Sequence, residues 1–104
     1  MGKEIKRLIE DKLFAKNQSE EWKELISNYY ESVKDNAKGI VLKCRYFEHK
    51  NYWHCLKELQ KIKVYYEKDN FYRIVNAIIN EILLRASYER LINPYELEKQ
   101  WNAK

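Results

Sequence analysis

Apolar residues recur at helical spacing along most of the chain. In residues 52–67 they occupy positions i, i+3, i+4 and i+7, which line one face of an α-helix; these positions are Tyr52, Cys55, Leu56, Leu59, Ile62 and Tyr66. The helix predicted over residues 71–90 has the widest apolar face, so we expect it to be the central one. The predicted helices are 3–16, 20–34, 37–48, 52–67, 71–90 and 94–103.

The segment 37–48 is ambiguous when it is considered alone. Its β-branched and aromatic residues suit a strand, but Ile40, Val41, Cys44 and Phe47 also fit a helical stripe. A single strand would have no partner with which to pair. We therefore expect a helix here and an all-α fold. That fold is a compact bundle or a stack of antiparallel hairpins of five to six short helices, joined by loops of two to four residues.

Asparagine or serine stands just before five of the predicted helices. These side chains accept hydrogen bonds from the free N–H groups of a first helical turn, and each cap is worth about 1 kcal/mol. After Asn93, Pro94 occupies a first helical position, and Glu96 completes a capping box. The predicted caps are Ser19, Asn36, Asn51, Asn70 and Asn93.

An eight-residue pattern occurs twice, 19 residues apart. Residues 46–53 read YFEHKNYW and residues 65–72 read YYEKDNFY. We interpret each copy as a helix end, a polar turn, an asparagine cap and an aromatic residue that enters the next helix. The arrangement is similar to the turn of tetratricopeptide hairpins. However, the spacing differs and the glycine and alanine positions of that family are missing, so the likeness does not assign a family.

The length and composition are those of a single globular domain spanning residues 1–104, with 45% hydrophobic and 35% charged residues. No apolar run approaches the roughly 18 residues of a membrane span, and the charged start does not resemble a signal peptide. We therefore expect a cytoplasmic protein without a membrane partner. Abundant Lys, Asn, Ile and Tyr favour an A+T-rich genome, such as that of a low-GC bacterium, its phage or another mobile element.

Cys44, His49, His54 and Cys55 lie close together in the sequence, as zinc ligands do. Consecutive residues of a helix project about 100° apart, so His54 and Cys55 cannot easily reach one ion. Cys44 and Cys55 instead fall on apolar stripes, symmetric about the turn near residue 50. We therefore expect reduced core cysteines and neither a metal nor a cofactor. A disulfide and a metal site are the alternatives.

The net charge of +4 comes from the middle of the chain. Trp53, Lys57 and Lys61 recur along one face of the predicted helix 52–67, opposite its apolar stripe. Lysines can neutralise phosphates, and an exposed aromatic ring can stack on a base. A solvated lysine face is the simpler interpretation. The chain has five arginines and no established nucleic-acid-binding motif.

Fifteen aromatic residues exceed what the predicted core stripes use, and Tyr and Trp are enriched at protein interfaces. No phosphate loop, nucleophile elbow or His–Glu metal pair is present, so we do not expect an enzyme. We expect a small regulatory protein, an adaptor or inhibitor, that binds a protein partner or a second copy of itself. Nucleic-acid binding is the alternative. The candidate partner-binding residues are Arg45, Lys50, Trp53, Lys57, Lys61, Tyr65, Lys68 and Tyr72.

Overall fold

The computed structural model describes residues 3–15 and 18–93. Within these residues there are five α-helices and no strand, so the predicted all-α fold is confirmed. The segment that could have been a strand is helical, because α3 continues directly into a π-helical segment, Leu42–Phe47. The predicted helix 94–103 lies outside the described residues. The helices are α1 (Lys3–Phe14), α2 (Glu20–Val33), α3 (Ala37–Val41), α4 (Tyr52–Lys61) and α5 (Lys68–Tyr88).

Helix α5 is central to the bundle, as its wide apolar face predicts. It packs against α1, α2 and α3, and its buried face includes Phe71, Val75, Ile78 and Ile82. Leu84 lies on the opposite side and is 69% exposed, so α5 is not enclosed on all sides. No helix among the described residues is long and apolar enough to cross a membrane.

Three predicted N-caps are confirmed. Their side-chain oxygens accept a backbone N–H of the first turn at donor–acceptor distances of 2.9 to 3.4 Å. These caps begin α2, α3 and α4, so the short loops before these helices are anchored by local hydrogen bonds. The confirmed caps are Ser19, Asn36 and Asn51.

The prediction is wrong between α4 and α5. Helix α4 ends at Lys61, six residues before the predicted end, because Lys63 adopts a left-handed conformation with φ of 61°. The N–H of Val64 then donates to the carbonyl of Leu59 at 3.0 Å, as in a Schellman motif. Helix α5 begins three residues earlier than predicted, so Asn70 lies inside it and cannot cap it.

Two glutamates join elements that are far apart in the sequence. Glu81 on α5 accepts a hydrogen bond from the Tyr29 hydroxyl of α2 at 2.8 Å and from the Lys38 ammonium of α3 at 2.9 Å. Glu10 on α1 accepts one from the Tyr46 hydroxyl at 2.9 Å. The π-helical segment is therefore tied to α1 by a buried tyrosine.

Gly39 allows α3 to lie against the end of α2. A Cβ atom at this position would collide with the backbone of Val33 and Lys34. The backbone cannot move aside as a flexible side chain could. The close approach of these two helices therefore requires glycine at position 39.

Candidate functional site

The rings of Trp53, Tyr52 and Tyr72 form a row across α4 and α5. The ring centroid of Tyr52 lies 5.3 Å from that of Trp53 in an edge contact. It lies 6.4 Å from that of Tyr72, with the two planes only 6° apart. Buried Phe71 contacts both tyrosines edge-on, at 5.0 and 5.2 Å. The row is therefore anchored in the core through Phe71.

Two members of this row face solvent. Trp53 is 69% exposed and Tyr72 is 36% exposed. Helical geometry explains the first value, because Cys55 and Leu59 turn the other side of α4 into the core. Tryptophan is on average a highly buried residue, so an indole held in the open is an unusual feature of this surface.

Three lysines lie near these rings in the structure or along the same helix. Among the described residues, Lys50, Lys57 and Lys68 form no ion pair with any carboxylate. Lys57 is one turn from Trp53 on α4, and Lys68 is one turn before Tyr72 on α5. Lys50, Trp53 and Lys57 also line one shallow depression of about 290 Å³. We define the aromatic–basic surface as Lys50, Tyr52, Trp53, Lys57, Lys68 and Tyr72.

Arg45, another predicted binding residue, is engaged within the fold. Its guanidinium lies 5.4 Å from the ring centroid of Tyr46 and 5.7 Å from that of Tyr72. It also lies 3.7 Å from the carboxylate of Glu10. Arg45 therefore packs against the ring of Tyr72 and pairs with Glu10, so it is not a free cation at the surface.

The remaining two predicted residues differ from the others. Lys61 forms an ion pair with Glu58 at 2.9 Å, and the hydrogen bond from Lys61 lowers the pKa of Glu58. Tyr65 lies in the connection between α4 and α5, is 73% exposed and makes no ring contact with the described residues. Tyr52 was assigned to the apolar stripe by its spacing, which gave no sign that it joins the other two rings.

Cys44 and Cys55 are both buried with free thiols, so the prediction that they are small core residues is confirmed. Burial raises the pKa of the Cys44 thiol to about 11 and also raises the pKa of Cys55. Both thiols are therefore neutral at physiological pH in the form of the protein described here.

Cys44 also lines a cleft of about 390 Å³ beside α3 and α4. One ligand atom each of Cys44, Glu48 and His54 lies within 4.8 Å of the other two. His49 is elsewhere, since its ring stacks on Phe14 with centroids 5.5 Å apart. The two histidines are therefore apart in the structure. Glu48, which is not among the zinc ligands considered from the sequence, lies beside Cys44 and His54 instead.

A second exposed apolar pair lies near the end of the described chain. Leu84 and Tyr88 of α5 are 69% and 90% exposed. They line a cleft of about 360 Å³ together with Arg85 and Glu89. Charges of both signs distinguish this cleft from the aromatic–basic surface, which makes Leu84 a suitable control position.

Comparison of the chain with models of known protein families, with curated proteins and with solved structures found no match. The residues of this chain are therefore the basis for inferring its function.

Proposed function

We propose that this chain is a small regulatory protein, an adaptor or inhibitor, that binds a protein partner through the aromatic–basic surface. The observation that supports this most is the exposed indole of Trp53 on a row of rings already packed together. Tryptophan and tyrosine dominate the binding energy of many interfaces. Because Phe71 and Tyr52 already hold the rings in place, little side-chain freedom would be lost on binding.

The charges of the surface define the partner's chemistry. Three lysines that have no carboxylate partner among the described residues favour an acidic contact surface that surrounds a pocket for the indole ring. The lysines would speed the encounter, and the ring would supply most of the affinity. A regulator encoded by a phage or mobile element and acting in the cytoplasm is the setting that the composition favours.

Site-specific photocrosslinking tests this proposal. A photoreactive amino acid at position 57 should give a discrete crosslinked protein from a cell lysate, whereas the same group at position 84 should give none. Trp53→Ala should weaken capture of that protein by at least about 30-fold, as expected for an interface hot spot worth 2 kcal/mol or more. Leu84→Ala is the matched control and should leave capture unchanged.

Crosslinking from position 57 also detects a partner that is a second copy of this chain. In that case, the purified protein should crosslink to itself from position 57 and sediment as a dimer that Trp53→Ala dissociates. A partner that binds the Trp53→Ala and Tyr72→Ala variants as tightly as the unaltered chain would show that the aromatic–basic surface is not the interface.

Nucleic-acid binding is the alternative function, and the unpaired lysines beside an exposed indole favour it. Three phosphate contacts predict that affinity for duplex DNA falls about 40-fold between 50 and 200 mM salt. A double substitution, Lys57→Glu with Lys68→Glu, should abolish such binding. If neither DNA nor RNA, single- or double-stranded, binds at 50 mM salt, this alternative is excluded.

A further inference from the structure

The π-helical segment and the first turn of α4 direct three different side chains toward one cleft. The N–H of Glu48 donates to the carbonyl of Lys43 at 2.9 Å, which is the i→i−5 bond of a π-turn. The N–H of Lys50 donates to the carbonyl of Cys44 at 2.8 Å and closes the chain back over it. Asn51 then accepts the N–H of His54 at 2.9 Å. Backbone hydrogen bonds therefore position these side chains.

The three side chains supply a mixed set of donor atoms. A thiol sulfur, a carboxylate oxygen and an imidazole nitrogen lie within 4.8 Å of one another. Ligand atoms around a tetrahedral zinc ion are about 3.5 Å apart, given zinc–ligand distances near 2.0–2.3 Å. Glu48 is exposed and His54 is half-buried, so rotation of these two side chains can supply the remaining approach to Cys44.

Glu58 lies close to His54, and its Oε1 also pairs with Lys61. Its Oε1 lies 3.9 Å from Nε2 of His54, one helical turn away on α4. A carboxylate beside the second ring nitrogen is the usual partner of a metal-bound histidine.

We propose that Cys44, Glu48 and His54 bind one Zn²⁺ ion, with water as the fourth ligand. Sulfur, nitrogen and oxygen donors in one site favour zinc over magnesium or calcium, which prefer oxygen alone. Lys34, Lys43 and Lys50 also line the cleft, and their positive charge opposes a cation. The core is complete without the ion, so zinc binds reversibly and is not required for folding.

Cobalt titration of the reduced, metal-free, full-length protein tests this site. Co²⁺ should bind with 1:1 stoichiometry and give thiolate-to-metal charge-transfer absorption, which Zn²⁺ should displace. The absorption should be lost in Cys44→Ser and kept in the matched control Cys55→Ser. No absorption in the unaltered protein, or its loss in Cys55→Ser but not in Cys44→Ser, would overturn the proposal.

If Cys44→Ser does not fold, substitutions of the other two proposed ligands can still test the site. Glu48→Gln and His54→Gln change side chains that are not in the core, and each should weaken Zn²⁺ binding by more than about 10-fold in equilibrium dialysis. Glu58→Gln should weaken it by about 10- to 100-fold, as expected for an orienting partner. His49→Gln is the control. Zinc affinity that is unchanged by both Glu48→Gln and His54→Gln would overturn the proposal.

Discussion

Two stretches of the chain, residues 46–53 and 65–72, share an order of aromatic and polar residues but have different structures. In the first, Tyr46 is 1% exposed and Asn51 begins α4 as its N-cap. In the second, Tyr65 is 73% exposed and Asn70 lies inside α5. The shared order of residues does not predict this difference, and we attribute it to what each stretch packs against.

Contact with α1 distinguishes the first stretch. The hydroxyl of Tyr46 donates to Glu10, and its ring lies 4.7 Å from that of Phe14. Among the described residues, Tyr65 has no equivalent hydrogen bond or ring contact. A tyrosine with a neighbouring helix to receive it becomes core, whereas the same residue without one stays at the surface.

The position of the helix start also differs between the two stretches. Tyr52 is the first residue of α4, but Phe71, its counterpart, is the fourth residue of α5. The N–H of Phe71 already donates to the carbonyl of Glu67 at 2.9 Å. Phe71 is buried on the same face as Val75 and Ile78, so the packing of this face favours an additional helical turn before it.

The largest expected difference in the free energy of unfolding is between substitutions of Tyr46 and of Tyr65. Tyr46→Ala should lower the free energy of unfolding by about 3–5 kcal/mol, because it empties a buried aromatic site. Tyr65→Ala should change it by no more than about 0.5 kcal/mol, as is usual for an exposed position. Urea unfolding followed by circular dichroism measures both. Equal losses would mean that Tyr65 is packed as Tyr46 is.

The two asparagines should differ by a smaller amount. Asn51→Ala removes the hydrogen bond to the N–H of His54 and should cost about 1 kcal/mol. Asn70→Ala should be neutral or stabilising by up to about 0.7 kcal/mol, because alanine is the better residue inside a helix. Asn51→Asp is the matched control, since aspartate also caps. A cost for Asn70→Ala comparable with that for Asn51→Ala would restore the predicted cap.

This contrast explains which parts of the fold could be predicted from the sequence. Helical spacing and the caps Asn36 and Asn51 depend on neighbouring residues alone, so they could be predicted. The end of α4 could not, because Lys63 takes the left-handed conformation that usually requires glycine. His49 and Arg90 do the same at two other helix ends.

The candidate site likewise has features that the sequence predicts and features that it does not. The exposure of Trp53 follows from its position opposite the apolar stripe of α4, so the sequence predicts it. The role of Arg45 depends on Glu10, a residue 35 positions away, and periodicity carries no information about that contact. Glu48 faces Cys44 and His54 across a turn that begins in a π-helix, a geometry that helical spacing does not anticipate.

The smallest expected effect on the free energy of unfolding concerns how the N-terminal turns of α4 and α5 are stabilised. In the described chain, α4 has the Asn51 cap and no acidic residue in its first turn, whereas α5 has Asp69 there and no side-chain cap. Asp69→Asn should therefore cost about 0.3–1 kcal/mol at low salt, because it removes a charge that interacts favourably with the helix dipole.

Salt concentration distinguishes stabilisation by the charge of Asp69 from stabilisation by the Asn51 hydrogen bond. At 1 M salt the screening length is about 3 Å, so the cost of Asp69→Asn should disappear in urea unfolding, whereas the cost of Asn51→Ala should remain. If the cost of Asp69→Asn persists at 1 M salt, Asp69 stabilises α5 through a hydrogen bond, and the two helix starts are more alike than their structures indicate. If it disappears, α5 begins where its apolar face requires and is supported at that end by charge alone.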